Sequence, residues 1–456
     1  MCELRRLLFE TPASFIVSTD FFNDFIEQNS LTPDIIEQIQ KALNSCENEC
    51  DKVFGSCKDS EPLLLSVRVG APITQTNICA PIYESSMTDS GLISLLGTPD
   101  SWNLPGVQET MIGIGINDDI CRHLATFTNL RYALTIYAKF LVSYGITICK
   151  IPYSTYDNIL YKVMSANSIS NVSQLEERQL QQLIAMFKEV YSPPSDPHDQ
   201  LYCAITEAYR HWIENTEQRQ LMMDMKADAP IAVIVSAVIY GQPGVLFSRN
   251  PVTGMKSTLI GDILLENGVK LSLEEFKKVD NNLGEQLEYS AKVLESNFRD
   301  VQDIDFVIDD RTKLLYIIQS RSASRTAAAS LRVAVDLVHE RILTEREALL
   351  RIRTDKLYNL SLRPFFSPSD VPFAAGTGSA AGISQGRLFF TKEQCMSEFV
   401  DDEAIIFCCS NFSDVDEHIL RIAKGTTAAT TTNTTTTTIA TCNYYYLYYY
   451  QYYYYY

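Results

Sequence analysis

The feature that most constrains the fold is an alternating stretch, DIDFVIDDRTKLLYIIQSRSASRT, at residues 303–326. Its first run places Asp303 and Asp305 two residues apart, so both carboxylates lie on one face of a strand while the apolar residues between and after them face the other way. A turn-forming Asp-Asp-Arg-Thr follows, and the second run alternates again and aligns Gln319 with Arg321. The pattern predicts a β-hairpin with one polar and one apolar face.

Pairing of the two runs would gather two carboxylates, an amide and a guanidinium on one patch. Magnesium is commonly held by one or two carboxylates plus phosphate oxygens, and arginine binds phosphate through two parallel charge-assisted hydrogen bonds. The patch therefore suits a metal-bound polyphosphate. The alternative is a solvated strand face with weak ion pairs. Alternation does not separate the two hypotheses, because it is the commonest strand pattern.

Length and charge limit the classes of function. A chain of 456 residues predicts two to four domains with sizeable cores. Its net charge of −18 argues against a broad surface for nucleic acid or anionic membrane, because both need clustered basic residues. An anionic ligand would therefore need a local basic site.

The cysteines and apolar runs indicate a cytoplasmic protein. The twelve cysteines are scattered, and Cys46, Cys50 and Cys57 have no C-x-x-C partner, so we expect reduced thiols and no zinc site. The opening MCELRRLLFETPASF has too short an apolar run for a secretory signal. Because the chain nowhere has eighteen consecutive apolar residues, we predict no membrane association.

The order of local patterns predicts a mixed α+β fold. LLLSVRVGA at 63–71 is typical of a buried strand, and glycines 106, 113 and 115 would let the backbone approach a ligand closely. A helical segment follows, in which Gly145 is predicted to end one helix and Ser173 with Glu176 to form a capping box.

Strands and further helices are predicted after residue 229. PIAVIVSAVIYG, GVLFSRNPVTG and KSTLIGDILLEN are strand patterns, and a helix is expected at about 283–298. An amphipathic helix pair is expected at 326–354, with Thr344 and Glu347 as a capping box.

The chain resembles the N-terminal part of the pyruvate phosphate dikinase family over residues 10 to about 425. Phosphoenolpyruvate synthase shares part of the pattern but fits the helical segment less well. Seven stretches carry the resemblance in the same order: SVRVGA, LPGVQETMIGIGIND, NLRYALTIYAKFLVSYG, PSDPHDQL, GVLFSRNPVTG, DIDFVIDDRTKLLYIIQSRSASRT and RVAVDLVHERI.

The resemblance implies an ATP-grasp-like, two-lobed nucleotide-binding fold with a helical insert, followed by the start of a swivelling phosphohistidine-type domain. The implied segments are a first lobe without its N-terminal loop (1–120), the insert (121–226), a second lobe (227–326), a helical linker (327–372), a truncated phosphohistidine domain (373–425) and a low-complexity Thr/Tyr tail (426–456). No folded domain is expected in the uncharged tail, whose composition is an aggregation risk.

The resemblance also implies roles for individual residues. Arg68 and Arg321 would hold the phosphates of ATP, and Asp303, Asp305 and Gln319 would hold Mg²⁺ or orient the phosphates. Arg249 and Asp262 fall where the family lines its nucleotide cleft. The predicted ATP-binding set is thus Arg68, Arg249, Asp262, Gln319 and Arg321, with Asp303, Asp305 and Gln319 as metal ligands.

Departures from the family pattern bear on activity. We expect that the glycine-rich loop with its phosphate-binding lysine, the phosphohistidine and the pyruvate barrel are absent. Arg68-Val69-Gly70 replaces arginine-serine-glycine, Asp305 replaces a glutamate, and His418 precedes the position of the phosphoacceptor, so no catalytic histidine is assigned.

Three hypotheses remain open: a protein that keeps ATP binding, a degenerate non-catalytic nucleotide-binding or interaction module, and a fragmentary gene product. Whether the chain alone is an enzyme stays open, and a monomer is predicted because the family's dimer contact belongs to the barrel.

Overall fold

The computed structural model describes residues 2–58, 60–70, 110–169, 172–216, 229–256, 260–265, 270–323, 325–352, 386–391, 394–395, 397, 404–409, 423–432 and 435–442. These residues fall into two compact units. The first contains the described residues up to Ala323 together with Leu331–Ile352, and the second contains residues 325–330 and the described residues after 385.

The first sheet of the larger unit has four strands in the order β1-β6-β4-β5, and all neighbours are antiparallel. Its strands are β1 (Ser14–Val17), β4 (Leu65–Gly70), β5 (Met111–Ile114) and β6 (Ala232–Ala237), and β2 (Val53–Phe54) and β3 (Pro62–Leu63) form a separate parallel pair. Leu65, Val67 and Val235 are fully buried, so this sheet presents one apolar face to the core.

Helices cover that face. The helices before β6 are α1 (Cys2–Arg6), α2 (Thr19–Gln28), α3 (Pro33–Cys50), α4 (Asp118–Phe127), α5 (Leu130–Cys149), α6 (Tyr153–Ala166), α7 (Glu177–Val190) and α8 (Pro197–Glu214), with a 3₁₀ turn at Val172–Gln174. One hydrophobic core runs from Ala13 to Ala237 and includes residues of both the sheet and the helical segment. The helical segment is therefore packed on the first sheet.

Helix α5 lies at the centre of this core. Among the described residues it is the one helix long and apolar enough to cross a membrane, with a mean hydropathy of 1.3 over its most apolar stretch. Within that stretch, 67% of the residues are buried inside the protein, which is the pattern of a core helix in a globular fold.

The prediction that Gly145 ends a helix is wrong. Helix α5 continues to Cys149, and Lys150 takes the left-handed conformation after it and donates its backbone N–H to the Gly145 carbonyl. A Cβ on Gly145 would lie 1.8 Å from the hydroxyl oxygen of Tyr156. Glycine is needed here because the Tyr156 ring of the next helix packs directly against the backbone.

Gly115 also differs from its predicted role. Its φ of 103° favours glycine, and a Cβ there would lie 2.5 Å from the Phe54 ring. Its backbone N–H donates to Gln200 Oε1 over 2.9 Å in the buried interior. The close approach at this turn is therefore to the protein core and not to a ligand.

The second sheet of the larger unit has five antiparallel strands in the order β11-β10-β7-β8-β9. The strands are β7 (Gly241–Phe247), β8 (Ile260–Leu264), β9 (Lys270–Ser272), β10 (Gln302–Asp309) and β11 (Leu315–Ser322), and the helices are α9 (Leu273–Val279), α10 (Asn281–Phe298), α11 (Ala327–His339) and α12 (Glu345–Arg351). The mixed helix and sheet content agrees with the predicted α+β class.

A second hydrophobic core joins this sheet to α10. Ile304, Phe306 and Ile308 of β10 are buried in it, together with Leu287 and Leu294 of α10. Leu4 of α1 also belongs to this core, so the start of the chain packs on the second sheet before the chain enters the first.

The two predicted capping boxes have different outcomes. Thr344 caps α12, and its hydroxyl and the Glu347 side chain form the reciprocal bonds of a capping box, as predicted. The box predicted for Ser173 and Glu176 is wrong. Glu176 itself is the N-cap of α7, and its backbone N–H is bound by Gln179.

Glu61 connects the segment beside β3 to the hairpin turn of the second sheet. Its carboxylate accepts from Lys52 Nζ over 2.8 Å and from Arg311 Nη1, in the turn between β10 and β11, over 2.7 Å. Burial alone would raise the pKa of the Glu61 carboxyl, but the bonds from Arg311 and Lys52 outweigh it and the pKa is lowered. The hairpin turn is thus held to the segment beside β3 by a charged pair.

The smaller unit contains a four-stranded sheet. Its strands, in the order β12-β13-β14-β15, are β12 (Arg387–Phe389), β13 (Ile405–Cys409), β14 (Ala423–Thr432) and β15 (Thr435–Cys442), and the last pair is antiparallel. The described part of the threonine-rich tail lies in β14 and β15, and the expectation that the tail is not a folded domain stays a prediction. Threonine is β-branched and favours strands even without an apolar pattern.

We predict that Gly145→Ala destabilises the protein, although this change in a helix interior ordinarily stabilises it. The added methyl would collide with the Tyr156 hydroxyl, so we expect a loss of about 1–3 kcal/mol in the free energy of unfolding. Chemical denaturation measures this. The double variant with Tyr156→Phe removes the hydroxyl and should recover much of the loss; no recovery would contradict the steric cause.

We predict that Glu61→Gln lowers the free energy of unfolding by about 1 kcal/mol at pH 7. Because the folded-state pKa of Glu61 is lowered, its stabilisation is present above the ordinary glutamate pKa of about 4.3 and is lost as the pH falls through the folded value. The difference between the variant and the unmodified chain should therefore shrink below about pH 4. Denaturation at several pH values tests this, with exposed Glu27→Gln as the control.

Candidate functional site

The hairpin β10–β11 gathers the four predicted polar side chains. Its register pairs Asp303 with Arg321 and Asp305 with Gln319, and cross-strand partners share one face. Arg321 Nε donates to Asp303 Oδ2 over 2.8 Å, and its Nη1 lies 3.6 Å from Asp305 Oδ2. The Gln319 amide nitrogen donates to Asp305. The polar cluster predicted from alternation is therefore present.

Arg68 reaches this cluster from the first sheet. It lies on β4, and its Nη1 donates to Gln319 Oε1 over 2.8 Å while its Nη2 donates to the Ile318 carbonyl over 3.0 Å. Gln319 consequently bonds Arg68 through its oxygen and Asp305 through its nitrogen. The amide orients a cation from one sheet against a carboxylate from the other.

The Ile318 carbonyl is a contact that the sequence analysis missed. The register shifts between Asp305 and Phe306, because Asp305 pairs with Gln319 whereas Phe306 pairs with Ile317. Ile318 is thus the extra residue of a β-bulge, and bulges re-aim groups that would otherwise continue the ladder. Simple alternation of polar and apolar residues gives no sign of such a shift.

The two arginines of the cluster differ in charge compensation. Burial opposes the charge of Arg321, but Asp305 and Asp303 outweigh it, so the pKa of Arg321 is raised. For Arg68, the loss of solvation on burial lowers the pKa by more than the attraction of Asp305 raises it. Repulsion by the neighbouring Arg321 lowers it further, so the pKa of Arg68 is lowered. Both groups stay protonated at neutral pH.

The two carboxylates differ in accessibility. The Asp303 side chain is 2% exposed and is bound by Arg321, whereas the Asp305 side chain is 21% exposed. Carboxylate and amide oxygens are the ligands that Mg²⁺ prefers, so the donor set fits that ion in kind. Asp305 is the more open carboxylate, and Asp303 is better placed to hold Arg321. Within the described part of the chain, no group of three or more His, Cys, Asp or Glu side chains gathers as a metal cluster.

Asp262 lies on the same face of the sheet as Asp305. Val245 of β7 pairs with Asp305 on one side and with Asp262 of β8 on the other. Asp262 is therefore two strands away from Asp305, about 10 Å across the sheet. This position borders the cluster without joining it.

The structure places Arg249 in a different cluster. Its guanidinium is fully buried and donates to Glu295 and Glu340 over 2.8–3.0 Å, with Asp336 at 3.6 Å. Glu295 lies on α10, Asp336 lies on α11 and Glu340 directly follows α11, so these acids do not come from the polar face of the hairpin. A role of Arg249 in contact with ATP remains a prediction.

Several predicted features lie outside the described residues, among them residues 353–385 of the predicted linker and phosphohistidine domain. Two more can be named individually. These are Gly106, in the LPGVQE part of its motif, and His418.

Comparison with known proteins gives a consistent set of relatives, although no protein-family model matches the chain. The chain is 28% identical to pyruvate, phosphate dikinase of Clostridium symbiosum over an alignment 456 positions long. The alignment covers 93% of this chain and 48% of that protein. It is 25% identical to pyruvate, phosphate dikinase 2 of Oryza sativa subsp. japonica, and that alignment covers 93% of this chain and 47% of the rice protein. It is 27% identical to pyruvate, phosphate dikinase of Rickettsia conorii, and that alignment covers 86% of this chain and 44% of the Rickettsia protein.

The chain spans about half the length of these curated relatives. The similarity extends over most of this chain, so it is not limited to the hairpin and its neighbours. The resemblance to the pyruvate, phosphate dikinases that the sequence motifs predicted is therefore confirmed.

Proposed function

We propose that the chain binds ATP with Mg²⁺ through the cluster of Arg68, Asp303, Asp305, Gln319 and Arg321. In this proposal the two sheets are the lobes of an ATP-grasp-like fold, and the cluster holds the phosphates where the sheets meet. The similarity to pyruvate, phosphate dikinases supports a role in phosphoryl transfer.

The observation that carries the proposal is the environment of Arg68. Its guanidinium donates to a neutral amide and a neutral carbonyl, and its buried Nε has no hydrogen-bond partner among the described residues. The cluster is formally neutral, but its two carboxylates are bound by Arg321 and Gln319, so Arg68 is a buried cation whose own hydrogen bonds go to neutral groups and to which an anion could bind directly. The planar guanidinium group of arginine presents several N–H donors, whose number and geometry match the oxygens of a phosphate.

Asp305 and Gln319 would hold Mg²⁺, and Asp303 would keep Arg321 in place. When bound, the ion neutralises charge on the phosphate oxygens. The residues of this chain bind and orient: Arg321 is fixed by Asp303, and Gln319 links Arg68 to Asp305. Asp262, on the same sheet face, would border the remainder of the nucleotide.

The further activity that the resemblance implies is a proposal for a larger assembly of domains. In it, a phosphoryl group of ATP passes to a histidine, and the phosphohistidine so formed passes it to pyruvate, which gives phosphoenolpyruvate. No histidine of this sequence is assigned as the phosphoacceptor, so we propose that this chain supplies the ATP-binding part and is incomplete as a catalyst alone. We also propose a cytoplasmic location and a monomer, with no nucleic-acid or membrane partner.

A second candidate is a non-catalytic nucleotide-binding or interaction module. The observation that favours it is the internal pairing of the cluster, since Arg321 with Asp303 and Gln319 with Asp305 satisfy one another without a ligand. Mg-ATP binding measurements separate the first candidate from an interaction module that binds no nucleotide.

We predict that the chain binds Mg-ATP and that Arg321→Ala weakens binding by more than about tenfold, because each charge-assisted bond contributes about 1.5–3 kcal/mol. Arg68→Ala should have a similar effect, and Arg321→Lys an intermediate one since it keeps the charge without the fork. Isothermal calorimetry measures the affinities. Exposed Arg332→Ala is the matched control, and the absence of heat from the unmodified chain at millimolar Mg-ATP would refute ATP binding.

We predict that the two carboxylates differ in their effect on magnesium dependence. Asp305→Asn should remove most of the gain in ATP affinity that added Mg²⁺ produces, because this carboxylate is the open ligand. Asp303→Asn should weaken ATP binding at every Mg²⁺ concentration, because it releases Arg321. ATP titrations at graded Mg²⁺ measure both, with exposed Asp119→Asn as the control. Identical profiles for the two variants would contradict the division of roles.

A further inference from the structure

A buried polar network lies behind the cluster, on the opposite side of the hairpin from Asp303 and Arg321. It begins at Glu295 of α10, which is 2% exposed and accepts from Arg249 Nε and Nη2 over 3.0 and 2.8 Å. The same carboxylate accepts from Ser248 Oγ over 2.7 Å. Glu295 therefore ties the end of β7 to a helix in the core.

Ser248 passes this restraint to the first residue of β10. Its hydroxyl oxygen accepts from the Gln302 backbone N–H over 2.9 Å, and its own N–H donates to the Gln302 carbonyl over 2.9 Å. The Ser248 hydroxyl thus donates to Glu295 and accepts from Gln302 at the same time, which uses both of its hydrogen-bonding functions. The backbone immediately before Asp303 is fixed from the β7 side.

Gln302 extends the network to β11. Its side chain is 1% exposed, and its Oε1 accepts from Ser320 Oγ over 2.8 Å. Gln302 precedes Asp303 in sequence and Ser320 precedes Arg321, so this bond joins the neighbours of both members of the ion pair. A single connected set of hydrogen bonds spans α10, β7, β10 and β11.

We infer that Ser248 is a positioning residue that fixes the direction in which Arg321 extends toward the phosphates of ATP. Glu295 holds Ser248, and Gln302 and Ser320 extend the hydrogen bonds from Ser248 to β11. This inference rests on the proposed function. The physical reason is that Asp303 can orient Arg321 only if the backbone of β10, which carries Asp303, is itself held in place. The N–H groups of a guanidinium must match phosphate oxygens in direction as well as distance. Buried networks that are fully bonded hold such geometry, and they lose it when one member is removed.

The test compares Ser248→Ala with Ser248→Thr, which keeps the hydroxyl. We expect Ser248→Ala to weaken Mg-ATP binding by roughly tenfold, because one partly buried hydroxyl with two bonds is lost. Adenosine affinity should stay within about twofold, because adenosine lacks the phosphates that Arg321 contacts. Ser248→Thr should bind both ligands as the unmodified chain does. The matched control is Ser290→Ala, which removes a buried hydroxyl on α10 that bonds the Gln286 carbonyl and is outside the network.

Loss of ATP and adenosine affinity together, or no loss of ATP affinity in Ser248→Ala, would overturn the inference. A second measurement needs no nucleotide: solvent exchange of the Arg321 Nε proton, followed by NMR, should be at least about tenfold faster in Ser248→Ala than in Ser248→Thr or Ser290→Ala. Equal exchange rates would overturn the inference even where ATP binds. If the unmodified chain binds no Mg-ATP, the proposed function fails, and the exchange rates alone decide whether the network positions Arg321.

Discussion

The cross-strand pair of Asp303 and Arg321 is the interaction on which the rest of the site depends. Because side chains alternate along a strand, a shift of one residue in the hairpin would send both groups into the core and the apolar residues outward. The burial of Ile304 and Phe306 against α10 therefore fixes the register that brings the charges together. Hydrophobic packing on one face determines the electrostatics of the other.

The link through Arg68 turns a feature of one sheet into a site shared by two. Gln319 can serve both sheets because an amide is at once a donor and an acceptor, and here it donates to Asp305 and accepts from Arg68. A carboxylate at position 319 would repel Asp305, and an aliphatic residue would leave Arg68 with the Ile318 carbonyl alone among the bonds described here. The chemistry of one side chain explains why charges of both signs gather without a direct bond between Arg68 and an acid.

Much of this arrangement could be predicted from sequence because strand periodicity is a local property. The hairpin, its polar face and the helices α10 to α12 follow from period and capping residues alone. The Ile318 bulge and the continuation of α5 past Gly145 do not, because both are decided by partners distant in sequence: Arg68 takes the freed carbonyl, and Tyr156 takes the space beside the glycine. The acids around Arg249 could not be predicted either, because Glu295 and Glu340 are distant from it in the sequence.

Arg249 and Arg68 differ in their partners, because Arg249 is paired with acids whereas Arg68 is bonded to neutral groups. Burial opposes the charge of both, but Glu295 and Glu340 outweigh it at Arg249 and raise its pKa, whereas at Arg68 burial prevails and the pKa is lowered. A buried ion pair that is broken on one side costs several kcal/mol, so Arg249 is held where it is by its acids. Arg68 is bonded to neutral groups instead, and a phosphate oxygen that replaced one of them would give this buried cation a charged partner.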